Sequence, residues 1–380
     1  MSFALGTTTP GSPDWDRRDD VVARAVALIA DGVVERTGVT GLASMLGIGA
    51  RPLNELVVAE LGATPARIAR DHGRAIARSA TSRSTTASPP ASPLHLMLAA
   101  RPPYDPAVTL EFLGQRAVPG IEHAEDGRYT RTLSLPHGHG VASVEPSTSS
   151  TGVDVELTLE DAGDLTPAVA RLRRLFDLDS DPQVVDEHLA ADPLLAPLVA
   201  ASPGRRVPGT VDVFETAVRA VVGQQISIAG ARTVTGRIVR ALGEPIRPSL
   251  ACAAAPCELV FPSPDAVAAA PPDVFAMPGR RKASIVALGR AVVDGELCLD
   301  ASITRAELAS QLLALPGIGP WTAEYIAMRG RGDPDAYLPT DLGVVRAIAE
   351  LRGATVDPQR WRPWRAYALH HLWAIPHGAA

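Results

Sequence analysis

A glycine-containing segment between two helical runs constrains the fold of this chain more than any other feature. The nine residues Leu315–Pro–Gly–Ile–Gly–Pro–Trp–Thr–Ala323 connect the apolar helical patterns of 304–315 and 320–330. Gly317 and Gly319 allow a tight hairpin, and the second helix begins with N–H groups that lack an intrahelical partner. Because the helix dipole favours an anion at this end, the segment predicts a phosphate-binding hairpin, although a single GxG is also typical of ordinary interhelical turns.

The charge balance does not by itself identify a nucleic-acid partner. The chain has 36 basic and 42 acidic residues, a formal net charge of -6, which excludes a global basic field. Residues 280–380 carry 12 basic and 10 acidic residues, a local charge of +2 (12 - 10). Since a helix end binds phosphate through backbone N–H groups, an acidic chain can still hold DNA. Lys282 is the only lysine, so chemistry that needs a lysine amine has one candidate.

Changes of composition divide the 380 residues into five segments. We predict a flexible polar tail over 1–20, a helix-turn-helix segment over 21–77 and a Ser/Thr/Pro-rich linker over 78–93. An α+β domain is predicted over 94–205 and an all-helical domain over 206–380. The predicted fold class is therefore α+β, with several domains.

The N-terminal segment has the spacing of a helix-turn-helix unit. We predict an apolar helix over 21–32, a short helix over 41–47 and a last helix over 51–61. In the last helix, Arg51 and Asn54 are the side chains best suited to contact DNA. The periodicity fits an ordinary three-helix bundle equally well.

Cysteine and histidine are too sparse for a disulfide scaffold or a metal site. Cys252, Cys257 and Cys298 are the only cysteines, and no His stands near the first two. We therefore predict buried thiols in a reducing compartment and no zinc. His137 and His139 share a glycine-containing loop without a third ligand, which indicates a turn. Without an apolar run of about 18 residues or a signal peptide, we predict a monomeric cytoplasmic protein that does not contact membranes.

Beyond the hairpin, Tyr337–Leu–Pro–Thr–Asp341 precedes another apolar helical run, where the Asp is predicted to cap the helix. This combination resembles the helix-hairpin-helix superfamily of DNA base-excision glycosylases, in which the Asp also faces the flipped nucleotide. Over 94–380 the chain is most similar to the AlkA-type 3-methyladenine DNA glycosylases. The matching motifs are Pro102–Asp105, Glu111–Leu113, Arg116–Val118, Arg174–Asp177, Asp181–Gln183, Val207–Gly209, Asp212, Phe214–Glu215, Arg219–Ala220, Gly223–Gln224, Ser227, Trp364–Leu369 and Trp373.

The resemblance implies a TBP-like α+β domain followed by a helix-hairpin-helix glycosylase domain. It also implies monofunctional hydrolysis of the N-glycosidic bond of alkylated bases, such as 3-methyladenine and 7-methylguanine, in duplex DNA. A purine alkylated on a ring nitrogen is a good, cationic leaving group. One carboxylate, that of Asp341, therefore suffices to stabilise the oxocarbenium-like sugar, either electrostatically or by orienting a water.

The same resemblance suggests the other site residues. Electron-poor alkylated bases stack on electron-rich rings, which predicts base contacts for Trp321, Tyr325 and Trp364. Gln224 is also predicted to bind the substrate. The implied DNA contacts are Gly317, Gly319, Thr322 and Gln225.

Two departures from the family pattern concern DNA opening and strand cleavage. Gln225 stands where the characterised family member places an apolar wedge, and a Gln there can fill the gap and hydrogen-bond to the orphan base. Relatives that cut the strand carry a Lys within the hairpin, where this chain has Trp321, so lyase activity is disfavoured.

Cofactor predictions also follow from the resemblance. The backbone carbonyls of Leu313, Leu315 and Ile318 are predicted to hold a monovalent cation, Na⁺ or K⁺, that bridges to phosphate. Because no Cys follows Cys298, the iron-sulfur branch of the superfamily is excluded. We expect no organic cofactor.

The segment 21–77 resembles an AraC-type DNA-binding domain of Ada-like fusions, but it lacks the second helix-turn-helix unit and the Cys-based zinc module. It is predicted either to pack only or to bind DNA weakly. The alternative function for the whole chain is a DNA-binding transcriptional regulator of an alkylation response, without catalysis. Asp341 distinguishes the two functions, because a regulator has no use for a carboxylate facing the phosphate backbone.

Overall fold

The computed structural model describes most of the chain. The described residues are 32–61, 64–70, 93–149, 151–247, 256–271, 277–351 and 356–375, with Val21, Arg24, Ala25, Leu28, Ile29, Leu250, Val274 and Phe275. The predicted tail 1–20, Cys252 and all but the last residue of the predicted linker 78–93 lie outside them. Within the described part, no helix has the length and apolar content needed to span a bilayer.

Two helices, Val33–Met45 (α1) and Ala50–Leu61 (α2), form most of the described N-terminal module. The short helix predicted over 41–47 corresponds to the part of α1 after Gly38, whose non-helical backbone (φ 69°, ψ 178°) separates it from the first turn at Val33. Apolar side chains of both helices share one core, which also includes Ala301 from the helical domain. Arg24 Nε donates to the Ala301 carbonyl at 2.8 Å, so the module packs against the rest of the chain.

A five-stranded antiparallel sheet forms the α+β domain. The strands are Leu94–Ala99 (β1), Glu122–Glu125 (β2), Arg128–Leu135 (β3), Gly138–Pro146 (β4) and Gly152–Leu159 (β5), and they pair in the order β1–β5–β4–β3–β2. Alternate residues of each strand face one side, where Pro106–Gly114 (α3) and Leu165–Leu175 (α4) cover them in a continuous apolar core. His137 lies in the β3–β4 turn, as predicted, with its Nδ1 2.8 Å from Asp164 Oδ1, whereas the prediction of a turn is wrong for His139, which lies in β4.

The remaining helices build the all-α part of the molecule. They are Pro182–Ala190 (α5), Ala196–Ala201 (α6), Val213–Val222 (α7), Ile228–Leu242 (α8), Pro264–Ala268 (α9), Gly279–Val293 (α10), Arg305–Leu313 (α11), Pro320–Arg331 (α12), Leu342–Glu350 (α13) and Arg365–Leu372 (α14). Helices α7, α10, α11 and α12 share one core, whereas α5 and α6 pack with α13 and α14 in a second. The predicted boundary at 205 therefore falls after two helices that pack with the C-terminal ones.

The two thiols in the described part differ in burial. Cys257 is buried, as predicted, and packs beneath β3, with its Sγ 3.8 Å from the Thr130 carbonyl. The prediction of a buried thiol is wrong for Cys298, which is half-exposed. Its Sγ lies 3.2 Å from Asp300 Oδ1, in the loop before α11.

A buried ion network joins the α+β domain to α7. Arg131 contacts Glu122 at 3.2 Å and Glu215 at 2.8 Å, while Arg219 contacts the same two carboxylates at 2.9 and 2.8 Å. Because each buried charge meets opposite charges in good geometry, its desolvation cost is offset. Arg219 Nη2 also donates to the Arg116 carbonyl at 2.7 Å, which fixes the residues following α3 next to α7.

The buried His371 in α14 gives folding a dependence on acidity. Burial lowers the pKa of His371 to about 4, below the ordinary 6.5 that it regains on unfolding. The unfolded chain therefore binds the proton first, so this stability is present above pH 6.5 and is lost as the pH falls toward 4. We expect His371→Gln to reduce the loss of unfolding free energy over this interval by about 3 kcal/mol.

Denaturant unfolding at several pH values measures this effect, with His95→Gln as the control because His95 is exposed. The control should follow the wild-type pH profile. An unchanged profile in His371→Gln would show that His371 does not contribute to the acid sensitivity.

Candidate active site

The predicted hairpin joins α11 to α12. Gly317 adopts a left-handed φ of 78°, and a Cβ there would overlap Ser284 Oγ of α10, so only glycine fits. Gly319 caps α12 with φ -101° and has open space around it. Among the described residues, nothing accepts from the N–H groups of Gly319, Trp321 and Thr322. These three donors are therefore available to an anion at the positive end of α12.

The loop between α7 and α8 is tied to this hairpin by one side chain. Gln224 Nε2 donates to the Gly317 carbonyl and to Thr322 Oγ1, both at 3.0 Å. The next residue, Gln225, has φ 57°, a left-handed conformation that few non-glycine residues adopt. Its side chain is exposed at the cleft described next.

A cleft of about 1040 Å³ lies between α3, the α7–α8 loop, α12 and α13. Its volume is at the upper end of the range for sites that hold a small organic group. The residues that line it include Phe112, Arg116, Arg219, Gln224, Gln225, Ile226, Arg232, Gly319, Trp321, Thr322, Tyr325, Asp341, Leu342 and Trp373.

Asp341 is the one carboxylate among the residues that line this cleft. Its Oδ1 accepts from the N–H groups of Gly343 and Val344 at 2.9 and 3.1 Å, as predicted for the N-cap of α13. Trp373 Nε1 also donates to Oδ1 at 2.9 Å, and Trp321 Nε1 donates to Oδ2 at 3.1 Å. Within the described part of the chain, no basic side chain pairs with it, so its negative charge is fixed in place but uncompensated.

Two sets of rings extend from this carboxylate. Trp321 stacks on Tyr325 with centroids 5.2 Å apart and planes 16° apart. On the other side, Trp373 packs edge-on against His370 at 4.9 Å, and His370 contacts Phe112 at 5.3 Å. Trp321 with Tyr325, and Trp373 with Phe112, are therefore the two aromatic sides of the cleft, and the buried His370 connects Trp373 to Phe112 from behind without lining the cleft.

Three guanidinium groups surround the far end of Tyr325. Burial alone would raise the pKa of the Tyr325 phenol, but Arg329, Arg116 and Arg219 together lower it below its ordinary value. Arg329 Nη1 also donates to the phenol oxygen at 3.2 Å. The surroundings of the Tyr325 phenol are thus electropositive.

The structure brings most of the predicted site residues together, but not all. Trp364 is not among the residues that line the cleft; it caps α14 and packs edge-on against Tyr367 at 5.8 Å. Arg51 and Asn54 lie in α2, where Arg51 pairs with Glu55 at 2.9 Å, and neither lines the cleft. The carbonyls of Leu313, Leu315 and Ile318 lie in the last turn of α11 and in the hairpin.

Several cleft residues were not among the predicted site residues, and three of them bear on base binding. Trp373 takes the place expected for Trp364, while Phe112 and Arg116 reach the cleft from α3 and the residues after it. All three belong to motifs that carried the resemblance, which was the signal available in the sequence. Among the described residues, no group of three or more His, Cys, Asp or Glu side chains is arranged to hold a metal ion.

Comparison with known proteins adds independent findings. A family model described as the AlkA N-terminal domain matches residues 95–212. The chain is 41% identical to a probable bifunctional transcriptional activator/DNA repair enzyme AlkA of Mycobacterium tuberculosis, over 96% of this chain and 82% of that protein. It is 34% identical to DNA-3-methyladenine glycosylase 2 of Escherichia coli, over 72% of this chain and 94% of that protein.

The fold also matches a solved structure. A 3-methyladenine DNA-glycosylase from Archaeoglobus fulgidus superposes with a TM-score of 0.61 at 20% identity, over 73% of this chain and 96% of that one. The shared fold covers both the five-stranded sheet and the helices that carry the hairpin, as the sequence predicted.

Proposed function

Since this chain belongs to the AlkA-type DNA-3-methyladenine glycosylases of the helix-hairpin-helix superfamily, we propose that Asp341 is the catalytic carboxylate of its reaction. The protein is an enzyme that excises alkylated bases from DNA in base excision repair. The observation that carries the assignment is the position of Asp341: a single carboxylate in the cleft, fixed by four neutral donors and, among the described residues, left without a cationic partner.

The geometry favours an electrostatic role for Asp341 over activation of a water. Three donors occupy Oδ1, which leaves acceptor capacity only on Oδ2 beside the Trp321 indole. As the glycosidic bond breaks, the sugar becomes cationic, and a preorganised negative charge stabilises it without rearrangement. The donors also hold Asp341 in one orientation, so the charge is in place before the substrate arrives.

We propose that the alkylated base, 3-methyladenine or 7-methylguanine, enters between the two aromatic sides of the cleft. The face of Trp321 or Tyr325 attracts a cationic ring through its quadrupole, and the second side closes on the opposite face. Trp373 replaces Trp364 in this role. Selection by stacking rather than by a set of hydrogen bonds accounts for acceptance of more than one alkylated purine.

Duplex DNA is proposed to bind across the hairpin. The N–H groups of Gly319, Trp321 and Thr322 would take a phosphate, and Gln225 would enter the helix where the base has left. Gln224 is better described as a link between the α7–α8 loop and the hairpin than as a base contact, because its amide already donates to the Gly317 carbonyl and to Thr322 Oγ1.

The carbonyls of the hairpin fit a monovalent cation. No described donor reaches the carbonyl oxygens of Leu313 and Ile318, and that of Leu315 accepts only from Ile318 N at 3.3 Å. Oxygen donors of this kind suit Na⁺ or K⁺, which would balance charge at a nearby phosphate. We propose that the reaction uses no organic cofactor, zinc or iron-sulfur cluster.

A regulator without catalysis explains the site less well. A pure DNA binder would gain nothing from an uncompensated carboxylate held within an aromatic cleft. The described N-terminal module, which packs on the helical domain near Ala301, is proposed to assist DNA engagement with Arg51 and Asn54. The proposed location is the cytoplasm, and the proposed state is a monomer.

The product is expected to be an intact abasic strand, cleaved only by later alkali treatment. Strand scission through a Schiff base needs a nucleophilic amine against the sugar, and Lys282 is the only lysine. Lys282 lies in α10 and does not line the cleft. Borohydride added during turnover should therefore trap no protein–DNA adduct. An adduct that disappears in Lys282→Arg would contradict monofunctional hydrolysis.

A further inference from the structure

The two aromatic sides of the cleft connect Asp341 to a second charge. One side runs through Trp321 and Tyr325. The other runs through Trp373, His370 and Phe112, and ends where the Arg116 guanidinium lies 3.7 Å from the centre of the Phe112 ring. Asp341 and Arg116 both line the cleft, so a flat base held between the two sides would lie near a carboxylate and a guanidinium.

Arg116 and Arg219 both line the cleft, but among the described residues they differ in their acidic partners. Arg219 meets both Glu122 and Glu215, whereas no described carboxylate pairs with Arg116. Its described side-chain hydrogen bond goes from Nη1 to the Phe112 carbonyl at 3.1 Å. Burial without such a partner lowers the pKa of Arg116 to about 10, which still leaves it charged at neutral pH.

Heterolysis of the glycosidic bond moves charge along the line between these two groups. The bond between the sugar carbon and the base nitrogen breaks, and its electron pair stays on the base. The sugar carbon becomes cationic and then bonds to a water oxygen, while the proton of that water goes to the released base or to solvent. Whatever charge the base had at the start, it becomes more negative in the transition state.

We propose that Arg116 contacts the leaving base and sets the selectivity of the cleft between neutral and cationic damaged bases. A positive charge behind the base stabilises the developing negative charge of every leaving base. It also repels a base that is already cationic when it enters, whereas a neutral base meets no such repulsion. Arg116 therefore favours neutral lesions in the overall rate, and this inference rests on the proposed catalytic role of the cleft.

Single-turnover kinetics on two duplexes would test the proposal. One duplex carries deoxyinosine, a neutral damaged purine, and the other carries 7-methyldeoxyguanosine, which is cationic. The quantity of interest is the ratio of kmax/K1/2 for the neutral over the cationic lesion. We expect this ratio to fall at least about tenfold in Arg116→Met and Arg116→Gln, and by less than about threefold in Arg116→Lys. Arg240→Met, an exposed change in α8, is the matched control and should leave the ratio unchanged.

The outcomes separate this proposal from a structural role and from the proposed function. A structural role for Arg116 would slow release of both bases equally and leave the ratio unchanged. A fall in the ratio of less than about tenfold in both Arg116→Met and Arg116→Gln therefore overturns the proposal. If Arg116→Met does not fold, Arg116→Gln alone decides. Wild-type release of the cationic base without the neutral one also overturns it. Wild-type release of neither base would instead contradict the proposed function.

Discussion

Asp341→Asn is expected to lower the single-turnover rate of base release at least about 1,000-fold, roughly 4 kcal/mol. Affinity for duplex DNA that contains an abasic analogue should change less than about tenfold. The carboxylate charge matters only as the sugar becomes cationic, so its loss affects the transition state and not the bound ground state. Because Asn caps helices about as well as Asp, α13 should remain folded.

Trp321→Phe is the control for this substitution, because Asp341→Asn also alters the hydrogen bond that the Trp321 indole makes with residue 341. The indole N–H donates to Asp341 Oδ2 at 3.1 Å, and an amide N–H would face it there instead. Trp321→Phe removes that hydrogen bond but keeps a ring against Tyr325. Equal losses in the two variants would assign the effect to orientation instead of charge. Near-normal turnover by Asp341→Asn would eliminate Asp341 as the catalytic group.

Gly317→Ala is expected to weaken binding to abasic-analogue duplex at least about tenfold, with a parallel loss of base release at limiting enzyme. A Cβ at this position overlaps Ser284 Oγ, and the left-handed φ of 78° adds about 1 kcal/mol for any residue with a side chain. Ser284 is itself buried and donates to the Arg280 carbonyl, so it cannot move away freely. The hairpin would shift, and the N–H groups that face the phosphate would shift with it.

Gly319→Ala is the matched control, two residues away in the same hairpin. Its φ of -101° suits any residue, and a Cβ there meets nothing within 4 Å. DNA affinity of this variant should stay within about threefold of wild type. Equal losses in both variants would show that the hairpin tolerates no side chain for a reason other than its conformation.

The parts of the site that depend on local geometry could be predicted from the sequence. The hairpin follows from two glycines between two helical runs, and the capping role of Asp341 follows from its place before α13. The stacked pair of Trp321 and Tyr325, four residues apart, follows from the period of α12. Each of these arrangements is fixed by neighbours within a few residues, so the sequence alone constrains it.

The sequence could not predict which of Trp364 and Trp373 faces the cleft. Both belong to the terminal helical segment, but at 100° per residue their nine-position separation turns them to opposite sides of a helix. Only one can face the cleft, and packing of α14 against α5 and α6 decides which. The periodicity of α14 carries no information about that choice, because buried residues surround it on most sides.

Site residues that come from distant segments are even harder to predict from the sequence. Arg116 and Phe112 belong to the α+β domain, and the buried contacts of Arg131 and Arg219 with Glu122 and Glu215 bring that domain against α7. A motif can indicate that such residues matter, but only the packing of two domains shows that they face the same cleft as Asp341. The first turns of α1 were not predicted for a local reason: residues 33–40 contain Thr and Gly, which weaken a helical pattern, and Gly38 interrupts it.

Chromatography of the bases freed from alkylated duplex DNA would test the central claim most directly. Wild-type protein should release free 3-methyladenine and 7-methylguanine in proportion to its concentration, and folded Asp341→Asn should release neither above the spontaneous rate. DNA binding by the wild-type protein without release of any base, or release by Asp341→Asn at the wild-type rate, would contradict catalysis by this carboxylate.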